Sequence, residues 1–217
     1  MNARKRTAVL ISGRGSNLQA LMDAASDSAF PAEIALVLSN VVGAQGLTRA
    51  EAAGIPVGTI AHQSYPSREA FDAALNDALK KNGIEFVCLA GFMRILSDGF
   101  VKAWEGRIIN IHPSLLPAFK GIDVHRRVLD AGVRVTGCTV HFVVPELDSG
   151  PIIAQAAVPV VAGDTEDTIA ARTLEAEHRL YPLALKLLAE GRVSLSPNGA
   201  LFTRVPHASG TLFSPGL

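Results

Sequence analysis

Thr7-Ala8-Val9-Leu10-Ile11-Ser12-Gly13-Arg14-Gly15-Ser16-Asn17-Leu18 decides the fold. An apolar run of strand length stops at a Ser-Gly turn and passes directly into residues 16–25, where Leu18, Leu21 and Met22 fall at helical spacing. A strand feeding a helix through a glycine loop opens a β-α-β unit. Similar apolar runs recur at 34–39, 57–60, 86–90 and 107–111, and Phe71, Leu75, Ala78 and Leu79 mark a second amphipathic helix over 68–79. This alternation predicts an α/β protein with a mostly parallel, doubly wound, Rossmann-like sheet. Past a short helix at 124–129 the pattern changes. Two β-rich runs, 133–144 and 151–161, are joined by Pro145-Glu146-Leu147-Asp148-Ser149-Gly150 and are expected to pair as a long-looped antiparallel hairpin. Asp164 is expected to cap a long C-terminal helix running to Ala189, with Thr165, Glu166 and Asp167 in its first turn and Gly191 as its stop. One domain is expected over 1–195, with 196–217 a peripheral ribbon or tail.

The chain has 217 residues, 48% of them hydrophobic, enough for one sizeable core. Its formal net charge is zero, which argues against a broad positive field for nucleic acid and favours a small substrate. Arg4-Lys5-Arg6 precedes an apolar run that Ser12-Gly13 ends too early for a signal peptide, and no stretch is long and apolar enough to span a membrane. Cys88 and Cys138 lie inside strand-like runs and read as buried free thiols. A cytoplasmic location is the expectation.

Asn110-Ile111-His112-Pro113-Ser114-Leu115-Leu116-Pro117 carries the candidate chemistry. Side chains two apart on a strand share a face, so Asn110 and His112 point the same way while Ile109 and Ile111 point into the core. Pro113 then takes the chain out of the sheet at the carboxyl edge, where open α/β sheets bind ligands. With Asp148 on its Gly-flanked loop, Asn110 and His112 form a constellation suited to acyl transfer. Taken singly, His112 could be a core histidine and Asp148 an ordinary turn residue.

The loop Ser12–Leu18 has the context for holding a phosphate on backbone N–H groups at a helix N-terminus, although a plain glycine turn fits it as well. No third glycine completes a dinucleotide fingerprint, and residues 37–40 supply no acidic partner for a ribose, so a phosphomonoester fits better than a nicotinamide cofactor. The spacing of His112, His125 and His141 matches no usual zinc pattern, and no metal site is expected.

With these motifs in place, the chain closely resembles the phosphoribosylglycinamide formyltransferases of the formyl-folate superfamily from about Thr7 to Gly191. The resemblance rests on 11–20, on Leu89-Ala90-Gly91-Phe92-Met93-Arg94-Ile95-Leu96, on 110–117 and on 137–151, in that order. It implies transfer of a formyl group from 10-formyltetrahydrofolate, as co-substrate, to the amine of glycinamide ribonucleotide in purine synthesis. It implies that Gly15, Ser16, Asn17 and Glu177 hold the nucleotide. It assigns Arg68, Met93, Arg94, Ile95, Leu96, Asn110, Val144, Pro145, Glu146, Leu147 and Asp148 to the folate, and Asn110, His112 and Asp148 to catalysis. The nucleotide-phosphate half would then span about 1–105 and the folate and catalytic half about 106–195. Neither metal nor nucleic acid nor membrane is implied as a partner, and the chain would be a monomer or a homodimer. Pro145 departs from the acidic residue usual in that loop, and Arg14 adds a cation to the phosphate loop.

The Asn-x-His-Pro-Ser core and the later Asp are shared with methionyl-tRNA formyltransferases and formyltetrahydrofolate hydrolases, which stand as alternatives together with a noncatalytic folate-binding module. The few, near-neutral residues after Gly191 argue against an RNA-contacting domain, and no N-terminal regulatory domain of the hydrolase kind is expected.

Overall fold

The computed structural model describes residues 3–205 and 214. Five parallel strands, β1 (Lys5–Ile11), β2 (Ala32–Ser39), β3 (Val57–Thr59), β4 (Phe86–Leu89) and β5 (Ile108–His112), come first in the chain. Two antiparallel strands, β6 (Val135–Phe142) and β7 (Ile152–Pro159), complete a single sheet of order β3-β2-β1-β4-β5-β6-β7. The helices are α1 (Ser16–Ser26), α2 (Gln45–Ala52), α3 (Arg68–Lys81), α4 (Asp98–Ala103), α5 (Val124–Asp130) and α6 (Glu166–Ala189). The doubly wound α/β reading and the long-looped hairpin are both observed, and the hairpin is the far edge of the same sheet.

Alternation along the strands divides the core. Val9, Ile11, Val37, Cys88, Ile109 and Ile111 pack on one face with α1 and α6, while Ala8, Leu10, Leu38, Val87, Leu89 and Ile108 pack on the other with α3 and α4. Such two-sided burial accounts for the near-continuous apolar runs of β1 and β4. The hydroxyl of Tyr181, fully buried on α6, lies 2.9 Å from the Leu89 carbonyl and 3.1 Å from that of Ile109, which pins α6 across β4 and β5. Burial pushes the Cys88 and Cys138 thiols up to about 12, so both stay protonated and unpaired, as expected.

The cap of α6 differs from expectation. Thr165 is the N-cap and forms a reciprocal capping box with Thr168. Asp164 instead accepts from the Val161 N–H and from Thr168, and pairs with Arg172 at 2.9 Å, a contact that holds its carboxyl well below the usual range. The helix ends at Gly191, φ +66°, as read. Residues beyond it form a ribbon, β8 (Val193–Ser196) with β9 (Gly199–Phe202), so the expected tail from 196 begins inside an ordered hairpin. Its later residues, 206–213 and 215–217, fall outside the described part. Among the described residues no helix is long and apolar enough to cross a membrane.

The strand order reverses between β1 and β4, because the chain runs outward from β1 through β2 to β3 and then returns to the other side of β1. Such a switch point is where open α/β sheets form a binding crevice at the carboxyl edge, and here the loops leaving β1 and β4 flank it.

Candidate active site

Residues near that crevice and on the adjoining sheet face meet as follows. β5 pairs with β6 so that Asn110 stands opposite His141 and His112 opposite Thr139. Paired residues on antiparallel strands share a face, and these four side chains do so. His141 donates from Nδ1 to the Phe142 carbonyl at 2.8 Å. Its Nε2 is then left to accept from the Asn110 amide at 3.2 Å, which fixes the rotamer of Asn110 and leaves the second amide hydrogen without a partner among the described residues. Burial is the main cause that lowers the His141 pKa, which agrees with the neutral ring this arrangement needs.

His112 is 5% exposed and lies between two acceptors. Nε2 is 2.9 Å from the Phe119 carbonyl, and Nδ1 is 3.4 Å from Oδ2 of Asp148. A ring protonated on both nitrogens satisfies both acceptors. Asp148 is itself buried, accepts from the Gly121 N–H at 2.8 Å and has its other oxygen 3.8 Å from His141 Nε2.

Asp148 reaches this point by an indirect route. β6 ends beside the start of β5, with Val143 N–H bonded to the Ile108 carbonyl, so the following loop must double back along the sheet face to bring Asp148 over His112. The left-handed turn at Asp148, φ +48°, belongs to that reversal. Lys120 ties the same loop to the segment after His112 by donating to Ser149 Oγ at 2.5 Å. That segment is anchored through Thr139, which donates to the Ser114 carbonyl at 2.7 Å and accepts from the Leu116 N–H at 3.0 Å.

The glycine loop lies at the N-terminus of α1. Gly15 is the N-cap at φ +73°, and no side chain caps the first turn, whose N–H groups are open to an anion. Gly15 has a further reason to be glycine: a Cβ there would come within 2.7 Å of the Gly46 Cα on α2. Arg14 is exposed and contributes its carbonyl, which accepts from Arg49 at 3.0 Å. Asn17, on the first turn, donates to Glu177 Oε2 at 2.7 Å across 160 residues of sequence, so two predicted residues from opposite ends of the chain meet.

Burial pushes the Glu177 carboxyl above its ordinary value of 4.5, against the pull of the Asn17 hydrogen bond. The native state thus holds this proton more tightly than the unfolded chain does. The resulting cost is absent below the unfolded value and appears as pH rises through the folded one. Glu177→Gln keeps an acceptor for Asn17 without the charge, so its Tm should exceed the parent's at about pH 8 and converge with it near pH 4. A parallel pH dependence of the two melting curves would contradict this.

Met93 and Ile95 are 72% and 56% exposed in the loop after β4, and Leu147 is 54% exposed on the hairpin loop, so apolar side chains stand in solvent near the crevice. Leu96 differs from them, being buried in the cluster that includes residues of α3 and α4. Arg94 lies over the Phe71 ring at 5.8 Å. Arg68 opens α3 on the wall of a cleft of about 550 Å³ between α3 and α4, which does not include Asn110, His112 or Asp148. Asp148 lines a separate cavity of about 110 Å³ with Leu116, Lys120 and Ser149.

Residues 5–185 match the family profile described as formyl transferase. The chain belongs to the formyl transferase family. It is 48% identical over 192 residues to the phosphoribosylglycinamide formyltransferase of Escherichia coli K12, covering 88% of this chain and 91% of the relative. It is 56% identical over 196 residues to the trifunctional purine biosynthetic protein adenosine-3 of Gallus gallus, covering 90% of this chain. The chain spans only 20% of that longer relative's length. Among solved structures, glycinamide ribonucleotide transformylase 1 from Symbiobacterium toebii superposes with a TM-score of 0.90 at 47% identity, over 93% of this chain and 95% of that one.

Within this formyl transferase, the sequence motifs located Asn110, His112 and Asp148 but not the groups that orient them. His141, the Phe119 carbonyl, the Gly121 N–H and Lys120 were missed. Only His141 had a readable signal, its place inside the β-rich run 133–144.

Proposed function

We propose that the chain transfers the formyl group of 10-formyltetrahydrofolate to the amine of glycinamide ribonucleotide. The observation that carries this reading is the His112 imidazole held between the Phe119 carbonyl and the Asp148 carboxylate, beside an Asn110 amide with a hydrogen to spare. The substrate assignment is supported by the relatives' names and by the uncapped first turn of α1.

The amine attacks the formyl carbon and gives a tetrahedral intermediate with a negative oxygen. Asn110 donates its free N–H to that oxygen, and His112 adds a second donor by exchanging its Phe119 contact for the substrate; each such donor contributes ~3 kcal/mol. Asp148 faces the imidazole with its carboxylate and accepts the proton the amine loses, directly or through a water. That proton passes to the folate nitrogen as the carbon–nitrogen bond breaks. The activated carbon belongs to the folate, so the protein supplies orientation and charge. Gly15, Ser16 and Asn17, with Glu177, hold the nucleotide; Arg68, residues 93–96 and the loop 144–148 hold the folate.

The test is to mix the protein with 10-formyltetrahydrofolate, with and without glycinamide ribonucleotide, and follow release of the deformylated folate. Nucleotide-dependent release is the expected result. Release without nucleotide would make the chain a hydrolase, and no release under either condition would sink the proposal. In the same assay Asn17→Ala should raise the nucleotide KM by ~10-fold or more and leave the folate KM within about 2-fold, since it acts far from the carbonyl. Equal shifts in both would remove Asn17 from the nucleotide site.

A further inference from the structure

One side chain bridges the two lips of the switch-point crevice, and it has no part in the chemistry above. Ser12 leaves β1 with its N–H bonded to the Gly91 carbonyl at 3.0 Å. Its Oγ lies 2.7 Å from the Met93 nitrogen and 2.6 Å from Asn40 Oδ1. Asn40, 3% exposed at the end of β2, in turn places its amide nitrogen 3.1 Å and its carbonyl 3.0 Å from His62 Nδ1.

One direction in this chain of bonds is forced. A backbone N–H only donates, so Ser12 Oγ accepts from Met93 whichever way the Asn40 amide faces. A hydroxyl also has capacity left for Asn40, as donor or as second acceptor. Met93 has a largely exposed side chain and starts the segment 93–96, so without the hydroxyl its N–H would turn to water.

We propose that Ser12 is a positioning residue that fixes the segment 93–96 against the glycine loop, so that folate affinity depends on a side chain from the nucleotide-side loop. This rests on the reading under Proposed function for which ligand uses which lip. The hydroxyl itself touches neither substrate: it acts by holding Met93.

The experiment compares Ser12→Ala and Ser12→Thr in the full chain by amide hydrogen exchange at Met93 and by steady-state kinetics in both substrates. Ser12→Ala should speed exchange at Met93 by ~10-fold and raise the KM for 10-formyltetrahydrofolate by roughly 5- to 10-fold, the loss of one bond in a partly buried network. kcat and the nucleotide KM should stay within about 2-fold of the parent, and Ser12→Thr should restore both altered quantities. The inference is overturned by an unchanged folate KM, by equal rises in both KM values, or by a threonine variant that behaves like alanine. A parent protein with no nucleotide-dependent turnover would sink the proposed function alone, and exchange at Met93 would still decide whether Ser12 holds the segment.

Discussion

Asp148→Asn is expected to lower kcat by roughly 10³-fold, about 4 kcal/mol, while the protein folds as before. The carboxylate faces His112 Nδ1 at 3.4 Å and is the second acceptor beside that ring, so the substitution removes the negative charge that holds and orients the imidazole donor. The amide also lacks the basicity to take a proton from the attacking amine. Asparagine is the informative substitution because position 148 sits at φ +48°, a conformation it tolerates, and its oxygen can still accept from the Gly121 N–H. Alanine would add backbone strain at the same place and confuse the outcome. KM for the nucleotide should move little. Turnover within about 10-fold of the parent, with an unchanged melting curve, would take Asp148 out of the reaction.

Much of this architecture was legible because parallel strands buried on both faces leave continuous apolar runs, and β1, β2, β4 and β5 each have one. α2 was not legible: its buried positions are Gly46 and Ala50, too small to mark a periodicity. α4 is six residues long, below the reach of any pattern. The cap of α6 was misread by one residue because Asp164 and Thr165 are both good caps. The choice was made by Arg172, about two turns into the helix, which draws Asp164 into an ion pair.

For the site, alternation along β5 put Asn110 and His112 on one face, and that needed nothing beyond the strand. The approach of Asp148 was not so written. Register alone would leave the β6–β7 loop at the wrong end of β5, and what returns it is a reversal stabilised by backbone groups and by Lys120, none of which has a sequence signature. The Asn17–Glu177 pair likewise depends on α1 packing against α6, a tertiary fact. The proposed folate assignment of Met93 and Ile95 came from family resemblance; their apolar character alone would have put them in the core.

Gly150→Ala should show how tightly that reversal is built, with an expected loss of about 4 kcal/mol or more, or ~8–16 °C in Tm. Gly150 closes the loop just before β7, and a Cβ there would lie 1.7 Å from the Phe142 carbonyl oxygen and 2.8 Å from its carbon. Those atoms are backbone and cannot rotate away. Relief requires β6 to separate from residues 150–151, which breaks the bond from Phe142 N–H to the Pro151 carbonyl at 2.9 Å. It also disturbs the 2.8 Å contact between His141 Nδ1 and the Phe142 carbonyl, which sets the tautomer that orients Asn110. Whatever protein still folds should therefore lose turnover as well as stability. Gly13→Ala is the control, since a Cβ at that exposed position meets nothing within 4 Å and its melting curve should move by no more than about 0.5 kcal/mol. A Gly150→Ala protein that melts with the parent would mean that β6 and the loop have slack between them, and Asp148 would then lack a rigid mount over His112.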